Sequence, residues 1–153
     1  MHEQQYEQIK SALSKLRLES FARVVFLVDK NGQQIAVQGD VGALDTTSLA
    51  SLAAGNVAAT GGMARLIGEK EFPTLSHEGE RESIHICIIN RVLLVVVFDE
   101  RSSLGLIKLR VKQAARELAA IFEEVQRLAD LKRDSDTSLF AEITDEDIDS
   151  LFN

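Results

Sequence analysis

Apolar positions recur along this chain with two periods, and the switches between them predict an ordered set of helices and strands. Ile9, Ala12, Leu13, Leu16 and Leu18 fall at nearly helical spacing, so an amphipathic helix is expected from about Gln4 to Leu18. Ala22 to Val28 is β-branched and aromatic-rich, and it meets Gln33 to Val37 across Lys30-Asn31-Gly32, where Asn-Gly supplies the positive φ values of a hairpin turn. Asp45 is placed to cap a long helix reaching about Ile67, with Leu44 and Leu49 at the spacing of a hydrophobic staple. That helix must end before Pro73, which disfavours helix at Phe72. Strands are expected near Thr74 to Glu78, Ser83 to Ile89 and Arg91 to Phe98, arranged as a meander. The last two are apolar on both alternating faces, with Ile84, Ile86 and Ile88 on one side of their strand and Leu93, Val95 and Val97 in the next. Helix layers must therefore cover both faces of the sheet. A final long helix is expected from about Ser103 to Ala129, its inward stripe supplied by Leu106, Leu109, Ala114, Leu118, Ile121, Val125 and Leu128.

The predicted class is thus α/β of the α+β kind. A five-stranded antiparallel sheet lies between helix layers in the order helix, two strands, helix, three strands, helix. Residues 1–129 form the domain. Residues 130–142, polar and without periodicity through Ser138, read as a linker. Residues 143–153 end the chain with a short amphipathic helix: Thr144 and Asp147 have capping-box spacing, Ile143 and Ile148 staple spacing, and Ile148, Leu151 and Phe152 form one apolar edge. So short a helix is marginal in water and is expected to form when docked, either on a partner or back on its own domain.

The helix from Asp45 to Ile67 is unusual on both sides. Helical periodicity groups Leu49, Leu52, Ala53, Asn56, Thr60, Met63 and Ile67 into a mostly apolar stripe, expected to face the sheet. The opposite side carries Ser51, Ala54, Gly55, Ala58, Gly61, Gly62 and Arg65, where a surface helix ordinarily shows Lys, Glu and Gln. Each interior glycine costs about 1 kcal/mol relative to alanine, so roughly 3 kcal/mol of helix stability is forgone. Close approach by another surface would offset that cost. Such a face can serve a symmetric dimer, a different partner, or both; alternatively, Gly61-Gly62 ends or kinks the helix.

Composition narrows the partners. The 153 residues, 45% hydrophobic, suffice for one domain with a sizeable core. With 17 basic and 24 acidic residues the net charge is -7, which repels nucleic acid and anionic lipid. Val92 to Phe98, the longest strongly apolar run, is far too short to span a bilayer, and Met1 to Lys10 lacks the layout of a secretory signal. The expectation is a cytoplasmic protein, with Cys87 as a lone cysteine suited to a reducing compartment.

Chemistry is sparse. His85 and Cys87 alternate onto one strand face, but two ligands are too few for a metal, and His77 lies in another segment. Cys87 is expected in the core, Asp99-Glu100-Arg101 as a solvated turn, and Lys108, Lys112 and Arg116 as a solvated basic stripe. The Gly61-Gly62 to Lys70 region lacks the Gly-x-x-x-x-Gly-Lys-Ser/Thr spacing of a phosphate loop. No catalytic residue, cofactor or metal is expected.

The string Asp45-Thr46-Thr47-Ser48-Leu49-Ala50-Ser51-Leu52-Ala53-Ala54-Gly55-Asn56-Val57-Ala58-Ala59, continuing through Gly61-Gly62 to Leu66-Ile67-Gly68, resembles the bacterial roadblock (dynein-light-chain-like) family. Val24 to Gly32, His77-Glu78-Gly79, Ser103-Leu104-Gly105-Leu106 and the ending Phe140 to Phe152 are similar to it as well, so the resemblance covers nearly the whole chain. It implies a homodimer that acts as a GTPase-activating protein on a small Ras-like GTPase of the MglA type, in cell polarity and gliding motility, with concentration at a cell pole. The GTPase would sit across paired second helices on Ser51, Ala54, Ala58, Gly62 and Arg65. Activation would come from repositioning the partner's own catalytic groups, with Arg65 an anchor or a solvated charge rather than an inserted finger. The tail residues Ile148, Leu151 and Phe152 would dock elsewhere on the GTPase and promote nucleotide exchange. Two alternatives remain open: a scaffold for polarity or signalling proteins that leaves hydrolysis unchanged, and a small-ligand sensory domain.

Overall fold

The computed structural model describes residues 3–141, with side-chain surroundings through Ser135. The elements are α1 (Glu3–Ser20), β1 (Val24–Asp29), β2 (Gln34–Gly39), α2 (Thr46–Leu66), β3 (Thr74–Glu78), β4 (Glu82–Ile89), β5 (Val92–Asp99) and α3 (Leu104–Ala141). All strand pairs are antiparallel, in the order β2-β1-β5-β4-β3. The expected fold class, a five-stranded antiparallel sheet between helix layers, is the observed one.

The centre of the sheet is made by its two most apolar strands. The β1–β5 register runs from Val24↔Val97 to Asp29↔Val92, stacking two runs that must be covered on both faces. Helices α1 and α3 cover one face, burying Ile9, Leu13, Leu16, Ile107, Val111 and Leu118 against Val25, Leu27, Leu94 and Val96. Helix α2 covers the other, where Ala50 and Ala53 meet Val24, Phe26, Val28, Ile86, Leu93, Val95 and Val97. Each fully buried side chain of Leu or Val size contributes roughly 1.5–3 kcal/mol, so the fold rests on these two cores. The ion pairs Lys15–Glu117 and Arg110–Glu19 set α1 and α3 antiparallel, and Ser102 Oγ donates to the Ser20 carbonyl at 2.6 Å where the two helices meet the sheet.

Local chemistry sets the boundaries. The Asp45 carboxylate accepts from the Ser48 amide at 3.0 Å and from its hydroxyl at 2.6 Å, capping α2 as expected. The helix runs unbroken through Gly61-Gly62 and ends at Leu66, with Gly68 two residues on at a φ of +88° turning the chain away. In the β1–β2 turn only Gly32 has a positive φ, also +88°; Asn31 does not, and its amide donates instead to Asp29 Oδ1 at 2.9 Å. This is a three-residue turn with a shift of register between Leu27 and Val28, not the pair of positive φ values expected from Asn-Gly.

Helix α3 corrects two expectations. It continues through Ala141, into the linker expected over 130–142, because no glycine or proline follows Gly105 in it and side-chain pairs at helical spacing extend it: the ion pairs Arg127–Glu124 and Arg133–Asp130 and the hydrogen bond from Gln126 to Asp130. Its sheet-facing row is Ile107, Val111, Ala114 and Leu118, whereas Leu109 is 53% exposed. Two apolar rows interleave near its start, and the sheet accepts only one. The helix expected over 143–153, with Ile148, Leu151 and Phe152, lies outside the described residues. None of the described helices is long and apolar enough to cross a membrane.

Candidate partner-binding site

Helix α2 lies on the sheet through its smallest residues, not through the large ones. Ala50, Ala53 and Ala64 are buried and Val57 packs beside them, so the backbone sits close over Phe26, Leu93 and Val95. The stripe expected to face the sheet divides: Ala53 is buried and Leu49 packs against the same core, but Leu52, Met63 and Ile67 are 70%, 61% and 71% exposed, and Leu66 beside them is 88% exposed. Four large apolar side chains in solvent on one helix are a signature of an unmet surface.

The residues expected to form the partner face divide. Ser51 and Ala54 stand against the β1–β2 turn, where a Cβ on Gly32 would fall 3.0 Å from Ser51 Cα and 3.6 Å from Ala54 Cβ. Their smallness serves internal packing. Ala54, Ala58 and Arg65 come together with Lys30, Val57, Gly61, Lys70, Glu71 and Leu93 around a cavity of about 180 Å³. Gly61 opens this cavity to Arg65, whose Nη1 would lie 3.9 Å from a Cβ at that position. Gly62 is not among its lining residues; a side chain at Gly62, or at Gly55, would meet nothing within 4 Å.

On the other flank of α2, Leu49, Leu52, Ala53, Asn56, His77, Ile84 and Ile86 line an apolar cleft of about 290 Å³ beside β3. The His77 Nε2 and Asn56 Oδ1 atoms are 3.3 Å apart across it. Strand β3 is an edge, so its outer backbone groups have no ladder partner in the sheet. The strand register also separates the histidines. His77 is opposite Ile84 and faces α2, while His85 is opposite Ser76 on the α1–α3 face, with Ser76 Oγ and His85 Nδ1 2.7 Å apart. Burial and the Lys108 ammonium hold the His85 imidazole below its ordinary pKa, and burial pushes the Cys87 thiol up, away from a reactive thiolate. Among the described residues no three His, Cys, Asp or Glu side chains gather as a metal site would need.

The Roadblock/LC7 domain matches residues 9–98, from the first buried turn of α1 to the end of the sheet. The chain belongs to the Roadblock/LC7 family. The roadblock chain is similar to Myxococcus xanthus MglB, with 54% identity over 81% of this chain and 94% of that one, and a TM-score of 0.77. It is also similar to the gliding protein MglB of Thermus thermophilus, with 36% identity over 81% and 95% of the two chains and a TM-score of 0.77. A structure described as MglB with tetrameric arrangement matches at 36% identity over 81% and 94%, again with a TM-score of 0.77. No curated protein matches the chain.

Sequence reasoning missed Lys30 and Lys70 in this roadblock domain. Nothing in their neighbourhoods marks them, since they belong to the β1–β2 turn and the loop after α2, and only folding brings them to Arg65. The exposure of Leu52, Met63 and Leu66 is likewise hidden in the sequence, because a helix apolar or small on every side gives periodicity no contrast to read.

Proposed function

We propose that this roadblock protein is a homodimer that activates GTP hydrolysis by a small Ras-like GTPase of the MglA type. One observation carries the reading: the outer side of α2 exposes Leu52, Met63, Leu66 and Ile67 beside Gly55 and Gly62, which no internal contact requires to be glycine. A helix pays for such residues only when a second surface covers them. The open β3 edge and the cleft beside it, between Leu52 and His77, suit pairing of two copies through β3 and α2. The relatives named MglB, one with a tetrameric arrangement and one called a gliding protein, support self-association and a role in gliding motility.

The paired helices then offer a platform of Ala58, Gly62 and Arg65, with Ser51 and Ala54 at its edge. The platform is built of small side chains and one arginine, so its contribution to hydrolysis is to favour the arrangement of the GTPase in which its own groups orient the attacking water. Arg65, exposed on the rim of a cavity, acts as an anchor. The tail, through Ile148, Leu151 and Phe152, engages a second place on the GTPase and promotes nucleotide exchange.

The test is multiple-turnover GTP hydrolysis by an MglA-type GTPase. Adding the protein should raise the rate, and Ala58→Arg, which fills the platform with a long cation, should abolish complex formation. Binding by a nucleotide-loaded GTPase without acceleration would replace activation with scaffolding.

A further inference from the structure

The first turns of α3 concentrate positive charge in a chain of net charge -7. From Leu104 to Arg116 the helix carries Lys108, Arg110, Lys112 and Arg116 and no aspartate or glutamate. Arg110 turns toward α1 and pairs with Glu19. Lys108, Lys112 and Arg116 follow one another at i, i+4 spacing, are exposed, and form no ion pair among the described residues. Like charges one turn apart destabilise a helix, so the row stands against the stability of the element that carries it. Lys108 lies nearest the sheet, where its ammonium disfavours the charged form of His85 on β4.

This basic row borders an apolar point. Helical geometry places Gly105, Leu109, Lys112 and Arg116 within a sector of about 60°, with Lys108 at its edge. Leu109 is 53% exposed, because the row that meets the sheet passes through Ile107 and Val111. A Cβ on Gly105, one turn before Leu109, would meet nothing within 4 Å, so no contact inside the chain requires glycine there. A single exposed leucine is ordinary on a protein surface; three uncompensated cations around it, with open space at a glycine alongside, are not.

We propose that this face of α3 is a docking site for an acidic amphipathic segment of another protein, its carboxylates against Lys108, Lys112 and Arg116 and one large apolar side chain on Leu109, approaching closely over Gly105. The scale of the patch favours a peptide over a membrane. From Lys108 to Arg116 the helix rises about 12 Å, and charges are screened beyond about 8 Å at physiological salt, so a narrow segment feels these cations alone. An anionic membrane is a plane and meets the acidic remainder of the molecule as well. Helix α3 covers the sheet face opposite α2, so a partner here leaves the α2 surface free, and the inference does not rest on the proposed function.

The probe is a synthetic helical peptide whose glutamates flank one leucine, added to full-length ¹⁵N-labelled protein. Amide shifts are expected to centre on Gly105, Leu109, Lys112 and Arg116. Lys112→Glu with Arg116→Glu should raise the half-saturating peptide concentration at least tenfold, and so should Leu109→Ser. All three positions are exposed, and the unfolding midpoints of the variants check that the fold is kept. Replacing the leucine of the peptide with serine should weaken binding to the parent protein to the same degree, a reading that needs no variant to fold. Absence of shifts, or shifts centred on Lys30, Arg65 and Lys70, overturns the proposal. So does binding indifferent to both leucines, which would leave charge attraction alone. Tighter binding to vesicles of phosphatidylserine and phosphatidylcholine than to the peptide would make the face a lipid contact, and shifts at the same residues on concentrating the protein alone would assign it to a second copy; either result also overturns it. None of these readings measures GTP hydrolysis, so failure here leaves the activation proposal standing.

Discussion

Gly32 at the tip of the β1–β2 turn is pressed against Ser51 of α2, so closely that a Cβ on the glycine would stand 3.0 Å from the Ser51 backbone. The same glycine has a φ of +88°, a region that L side chains rarely adopt. Gly32→Ala therefore combines a backbone penalty of about 1 kcal/mol or more with a steric push on α2. The midpoint of urea unfolding should fall with little change in its slope. An unfolding midpoint equal to that of the parent would refute the packing argument.

Gly55 and Gly62 make the opposite case. Both lie inside α2, and a Cβ at either would meet nothing within 4 Å. Replacing either with alanine should stabilise the isolated helix by roughly 0.5–1 kcal/mol. If α2 is an interface, the same methyl groups should weaken association. At low protein concentration the melting temperature of Gly55→Ala, Gly62→Ala is expected to rise, while sedimentation equilibrium shows weaker self-association. A variant that melts lower at every concentration would mean that the space beside these glycines is already occupied within one chain.

His85 gives stability a pH dependence of known sign. The imidazole is buried, 2.7 Å from Ser76 Oγ on the edge strand β3, with burial and Lys108 both disfavouring its charged form. Its pKa in the folded state is therefore below the unfolded value of about 6.5. The unfolded chain binds the proton first as pH falls, so the contribution of neutral His85 is fully present above pH ~6.5 and is lost progressively below it. Unfolding midpoints measured between pH 7.5 and 5 should decline, and His85→Gln should flatten that decline while lowering stability at neutral pH. An unchanged slope in the variant would assign the dependence to other groups.

The order of elements is legible in the sequence because each has a local cause. Leu13 and Leu16 on α1, the alternation through β4 and β5, and the Asp45 cap all act within a few residues of themselves. The end of α3 is not legible in this way: polarity from Asp130 onward looks like a linker, although charges at helical spacing sustain an exposed helix as readily as they solvate a loop. The candidate site is legible in part. Ala54, Ala58 and Arg65 do meet at one cavity, Ser51 is occupied by the turn, and Gly62 is outside the cavity.

Periodicity and composition along continuous stretches of chain were enough to specify the three-helix, five-stranded architecture and the presence of an unusually small, uncharged helix in it. Which side of that helix faces outward is a matter of packing between distant segments. Ala50, Ala53 and Ala64 win the sheet because small residues let the helix approach Phe26 and Leu93, and that approach turns Leu52, Met63 and Leu66 into solvent. The same packing makes Lys30 and Lys70 flank Arg65, a meeting of residues far apart in the chain that only the register of the sheet and the path of the loops can arrange.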